Sequence, residues 1–217
     1  MPTHNIEGTN IHFQDRGSGP ALVLLHGLGS SGLDWEYQYP HFEEHFRIIA
    51  PDLRGFGQSD KPDGPYFVAR QAADVVALLD HLGISEVALL GFSMGGAVAS
   101  LIALKAAERV KSLSLLAPGG FGPEIAAATL RAFGAARDEA AIGDALARMV
   151  ASDTEPPPED VAALVQERTN DALVAELTAI AGMITRDGKQ GEIPRAMLAR
   201  IACPVHVLWG TADPVLP

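Results

Sequence analysis

Short apolar runs recur through residues 1–120, each closed by turn-forming residues. Ala21-Leu22-Val23-Leu24-Leu25, Arg47-Ile48-Ile49-Ala50, Val87-Ala88-Leu89-Leu90 and Ser112-Leu113-Ser114-Leu115-Leu116 all have this form. Continuous runs of that length suit strands covered by helices on both faces. Ile11-His12-Phe13 alternates instead, as a hairpin strand does. Between the runs, residues 69–82 place Ala72, Val75, Val76, Leu79 and Leu82 at helical spacing. Strand and helix in alternation predict an α/β domain on a mostly parallel sheet.

The pattern changes at Gly119-Gly120-Phe121-Gly122-Pro123. From residue 124 to 195 no strand pattern occurs; Ala-rich amphipathic segments dominate, broken at Glu155-Pro156-Pro157-Pro158-Glu159. The strand pattern resumes at Pro204-Val205-His206-Val207-Leu208-Trp209. The organisation predicted is a core over 1–120, a helical cap over 121–195 and a resumed core over 196–217. An insertion between sheet strands sits over the strand ends, where open α/β sheets bind ligands, so the cap reads as a lid. Extension of the helical layer is the other reading.

Hydrophobic residues form 47% of the 217, which makes the chain globular. The net charge of −11 argues against a phosphate-backbone partner, so no nucleic acid is expected. No segment has the apolar length of a membrane span and the N-terminus has no signal-peptide pattern, so a cytoplasmic location is expected. Cys203 is the sole cysteine, beside an apolar run, and reads as a buried inert thiol; no metal or organic cofactor is implied.

The chemistry starts at Gly91-Phe92-Ser93-Met94-Gly95, which directly follows an apolar run and directly precedes Gly96-Ala97-Val98-Ala99-Ser100. Strand, tight turn and helix in that order form a nucleophile elbow, in which small residues let the backbone bend and present the serine. The helix that follows aims its N-terminus at charge developing there. Ser93 is the candidate nucleophile; a turn serine or helix N-cap is the plain alternative.

With four motifs in order, the chain resembles α/β-hydrolase-fold enzymes over essentially its whole length. His26-Gly27-Leu28-Gly29 resembles their oxyanion loop and Pro51-Asp52-Leu53-Arg54-Gly55-Phe56-Gly57-Gln58-Ser59 the turn after the next strand. Gly91-Phe92-Ser93-Met94-Gly95-Gly96 resembles the elbow, and Trp209-Gly210-Thr211-Ala212-Asp213 the strand end that carries the acid. The resemblance implies Ser93 as nucleophile, Asp213 as triad acid, and the backbone N–H groups of Leu28 and Met94 as the oxyanion hole. It gives His26 and Asp52 architectural roles. A turn aspartate is the plain reading of Asp213.

Gly119-Gly120-Phe121-Gly122-Pro123 and Arg168 are similar to the lid entry and lid arginine of meta-cleavage-product hydrolases, so Arg168 is a candidate substrate contact. An exposed helix arginine is the alternative. Residues 118–125 also resemble the hydrolase-like domain of acetoin dehydrogenase acyltransferase components. Haloperoxidase-like esterases share the same triad.

The expected reaction is cleavage of an ester or related acyl bond in a small, largely apolar substrate. Carbon–carbon bond hydrolysis is the alternative, and a non-catalytic ligand-binding protein on the same fold is the alternative from another class. Homo-oligomerisation stays open. His4, His12, His26, His41, His45, His81 and His206 all precede Asp213, whereas the family's base follows its acid. The chain therefore reads as lacking a last strand, the base and a closing helix. Alternation predicts a buried His206 side chain.

Overall fold

The computed structural model describes residues 2–62, 66–151 and 155–217. β1 (Thr3–Ile6) and β2 (Thr9–Gly17) form the N-terminal hairpin. Its two-residue turn has φ of 48° at Glu7 and 84° at Gly8, the positive values that a twisted tight hairpin requires. β3 (Ala21–Leu25) and β4 (Arg47–Pro51) flank the short helix α1 (Tyr39–Phe42). α2 (Val68–His81) leads to β5 (Val87–Phe92), α3 (Met94–Lys105) and β6 (Val110–Leu116). Four longer helices follow: α4 (Ala127–Ala135), α5 (Glu139–Ala147), α6 (Pro158–Glu167) and α7 (Asp171–Ile184). α8 (Arg195–Leu198) and β7 (Val205–Leu208) complete the described elements.

The chain divides into two compact units, residues 1–119 with 193–208, and residues 120–192 with 209–217. The first carries a seven-stranded sheet in the order β1-β2-β4-β3-β5-β6-β7. β1, β2 and β4 pair antiparallel, and β4-β3-β5-β6-β7 pair parallel. This is the predicted α/β-hydrolase architecture. Val23, Leu25, Leu89, Leu113 and Leu115 are fully enclosed on one face, where α3 packs on β3, β5 and β6. On the other face Leu22, Leu24, Ile48 and Ala50 pack with Trp35 and Tyr39. At roughly 1.5–3 kcal/mol per buried large aliphatic side chain, these two layers are what fix the strand ends in place.

β7 departs from expectation. All four of its side chains are exposed, His206 included, so the predicted burial of His206 is corrected. Alternation assigns a residue to a face; it does not supply a layer to cover that face. Cys203 is half-buried, and burial pushes its thiol pKa up, which suits an inert thiol.

In the second unit, α4 packs on α7 and α5, and α5 on α6. Ala136, Ile142 and Val161 form one core with Leu146, Leu164 and Val165. No helix among the described residues is long and apolar enough to cross a membrane.

Candidate active site

Ser93 lies where β5 ends and α3 begins, with φ 52° and ψ −119°. An L-residue at positive φ costs roughly 1–3 kcal/mol and persists only where its surroundings hold it. Here they do. The Ser93 N–H donates to the Leu116 carbonyl at 3.0 Å, and the Ser93 carbonyl accepts from Gly119 N–H at 2.8 Å and Gly96 N–H at 2.9 Å.

The glycines of the motif make the bend sterically feasible. A Cβ on Gly91 would lie 2.4 Å from the Gly95 carbonyl oxygen, and one on Gly95 would lie 2.3 Å from that of Leu25. α3 therefore starts in backbone contact with β3 and β5, and the reversal sets a half-buried Ser93 at the C-terminal edge of the parallel strands.

Met94 and Leu28 are the two expected oxyanion donors. Met94 N–H is the first of α3, where the helix offers no acceptor and its dipole favours negative charge. Leu28 N–H belongs to the loop after β3. That loop touches the elbow: a Cβ on Gly27 would lie 3.4 Å from Ser93 Cβ. Among the described residues neither N–H donates to a protein acceptor.

His26 is wholly buried, and both of its ring nitrogens are occupied. Nδ1 donates to the Gly27 carbonyl at 2.7 Å, and Nε2 accepts from Leu53 N–H at 2.9 Å. Those roles define the neutral tautomer, and burial lowers its pKa in the same direction. Held this way, His26 is a structural group, with no nitrogen left to take the Ser93 proton.

Asp52 is buried and equally committed. Its Oδ1 accepts from Gly32 N–H at 2.7 Å, and its Oδ2 accepts from Gln58 N–H at 2.8 Å and faces His12 Nδ1 at 2.9 Å. It joins the β3 loop, the loop after β4 and β2. The His12 link went unread in the sequence, where His12 was one position of a hairpin strand. Arg54 adds a second tie, with Nε and Nη2 on the two carboxylate oxygens of Asp74 in α2 at 2.7 and 2.8 Å. His12 between the apolar Ile11 and Phe13 was a signal for the first pair; Arg54 lies in a loop and Asp74 in α2, and the second pair had no such signal.

Asp213, in the second unit, is half-buried, and its Oδ1 accepts from Val215 N–H at 2.8 Å and Leu216 N–H at 2.9 Å. Those bonds hold a tight turn.

Arg168 ends α6, and the exposed-arginine reading is corrected: only 2% of the residue is accessible. Its Nη1 donates to the carbonyls of Phe133 at 2.9 Å, Ala136 at 3.3 Å and Gly134 at 3.4 Å, and its guanidinium lies 4.8 Å from the Phe133 ring centroid. The cation caps the C-terminus of α4. Burial pulls its pKa down.

A family model described as the alpha/beta hydrolase fold matches residues 20–217. The chain is 28% identical, over 98% of its length, to the dihydrolipoyllysine-residue acetyltransferase component of the acetoin cleaving system of Cupriavidus necator, of which it covers 57%. It spans about half the length, or less, of the curated relatives it matches. Among solved structures it resembles the 2-hydroxy-6-oxo-6-phenylhexa-2,4-dienoate hydrolase of Rhodococcus sp. strain RHA1, with 27% identity and a TM-score of 0.84 over 96% of this chain and 80% of that one. An enzyme described as degrading N-acyl homoserine lactones is 29% identical, with a TM-score of 0.77 over 98% of this chain and 82% of that one. A match of this extent, on a sheet of this order with a strained serine at the β5–α3 turn, has one meaning: the chain belongs to the alpha/beta hydrolase fold family.

Proposed function

We propose that this protein is a serine hydrolase cleaving an ester or related acyl bond of a small, largely apolar substrate through an acyl-enzyme on Ser93. The observation that carries the reading is the strained Ser93 backbone, φ 52° and ψ −119°, held by hydrogen bonds at the end of β5. Strain held at a half-buried turn serine points to function.

In this reading the Ser93 Oγ attacks the substrate carbonyl carbon as a base takes its proton. The carbonyl oxygen becomes an oxyanion between the N–H groups of Leu28 and Met94, each worth roughly 3 kcal/mol in the transition state. The C–O bond breaks, the leaving group takes the proton, and water later releases the acyl group from Ser93.

The base is a histidine oriented by Asp213. Within the sheet-bearing unit His26 is fully bonded, and His12 faces Asp52. His206 pairs with Ser114, two positions short of the Phe92–Leu116 row. In this reading none of these three histidines takes the Ser93 proton.

A fluorophosphonate probe with peptide mapping tests this: labelling at Ser93, abolished by Ser93→Ala, is expected. Absence of labelling would favour the ligand-binding reading. The second reading, carbon–carbon hydrolysis, rests on the likeness to the dienoate hydrolase. Faster turnover of a ring-fission dienoate than of nitrophenyl esters would establish it.

A further inference from the structure

Phe92 is an apolar ring left accessible beside a nucleophile. It precedes Ser93, ends β5 and is 42% exposed, while Leu89 and Val87 earlier in that strand are fully enclosed. Its ring fills the space where Gly27 lacks a side chain, since a Cβ there would lie 3.2 Å from both Phe92 Cδ1 and Cε1. Gly27 is also the residue before the Leu28 donor. One ring thus spans the junction of the two loops that carry the candidate chemistry.

The sheet register extends this surface. Phe92 pairs with Leu116 on β6, and Leu116 with Leu208 on β7. Parallel neighbours in register share a face, and adjacent strands are about 4.8 Å apart. Leu116 is half-buried and Leu208 is 60% exposed. An apolar row therefore starts at the nucleophile's neighbour and runs away from it across the strand ends.

We infer that Phe92 is a specificity-determining residue: its ring, continued by Leu116, receives the apolar arm of the substrate when the scissile carbonyl is at Ser93. The inference rests on the serine-hydrolase reading for the placement of the carbonyl. A short acyl group reaches Phe92 alone, and a longer one also covers Leu116. Removing an apolar ring from such a contact selectively weakens the longer ligand, because the loss scales with the apolar area the ligand covers.

The test is equilibrium binding, which needs no turnover. Calorimetry of residues 1–217 carrying Ser93→Ala measures the Kd of 4-nitrophenyl hexanoate and 4-nitrophenyl acetate. Adding Phe92→Ala is expected to weaken hexanoate about tenfold and acetate less than about twofold. Phe92→Leu, which keeps an apolar side chain and guards against a folding defect, is expected to stay within about threefold for hexanoate. Equal hexanoate affinity in the Phe, Leu and Ala forms overturns the inference. So does an absence of hexanoate binding to Ser93→Ala itself. Failure of Ser93 labelling alongside Phe92-dependent hexanoate binding would sink the hydrolase reading and leave this surface standing.

Discussion

His26 Nδ1 donates to the Gly27 carbonyl oxygen at 2.7 Å, and that bond sets the direction of the next N–H. The described backbone has no cis peptide bonds, so the Gly27 carbonyl and the Leu28 N–H lie in one peptide plane and point in opposite directions within it. Fixing the carbonyl toward His26 turns the Leu28 N–H away from it. Nε2, accepting from Leu53 N–H, anchors the ring to the loop after β4. The imidazole thereby orients a candidate oxyanion donor through the backbone.

The same bonds give a pH dependence. Burial depresses the His26 pKa in the folded state, and an unfolded histidine titrates near 6.5. Below about pH 6.5 the unfolded chain binds a proton that the folded chain refuses, so stability falls as pH drops. Urea titrations between pH 7.5 and 5 should show wild type losing up to about 1.4 kcal/mol per pH unit more than His26→Gln. Parallel curves for the two proteins would remove His26 from the linkage.

Arg168 should stabilise the helical unit. Its Nη1 is the donor for the carbonyls of Phe133, Gly134 and Ala136, all at the end of α4. Arg168→Met keeps the apolar stem and deletes the donor, leaving those carbonyls without it at a cost of about 1–3 kcal/mol. Hydrogen exchange of amides in α4 and α7 is expected to accelerate accordingly, while β3 and β5 keep their protection. Unchanged α4 exchange would show that the cap contributes nothing.

The strand runs at 21–25 and 47–50 were legible because burial on both faces leaves a continuous apolar signature; those at 87–90 and 112–116, and the helix near 69–82, were legible from apolar residues on a buried face. The elbow was legible because three glycines meet backbone atoms at distances that no side chain tolerates. Arg168 was opaque for the opposite reason: its partners are carbonyls more than thirty positions earlier, and a carbonyl has no sequence signature. The His12–Asp52 pair spans forty positions and was equally hidden. For β7, the sequence showed a strand pattern, while exposure depended on which layers accompany it.

That exposure has a solution consequence. Val205, Val207 and Leu208 are 47%, 48% and 60% accessible on a strand paired with β6 alone. An apolar edge with open backbone groups templates association between chains. Val207→Lys, which puts a charge on that edge, should slow the growth of light scattering at high concentration with no loss of Tm. Equal scattering from both proteins would place the sticky surface elsewhere.

Two glycine-to-alanine changes separate packing from helix propensity, and they should have opposite signs. At Gly95, in the first turn of α3, the added methyl would sit 2.3 Å from the Leu25 carbonyl oxygen and 2.6 Å from that of His26. Both obstacles are backbone, so relief requires α3 to move off β3, at a cost of about 2–3 kcal/mol. At Gly143, inside α5, an added Cβ meets nothing within 4 Å. There the gain in helix propensity dominates, and Gly143→Ala should stabilise by about 0.5–1 kcal/mol. Chemical denaturation reads both. A neutral Gly95→Ala would mean that the elbow tolerates a displaced helix, and with it that the Ser93 backbone is not held as tightly as its hydrogen bonds imply.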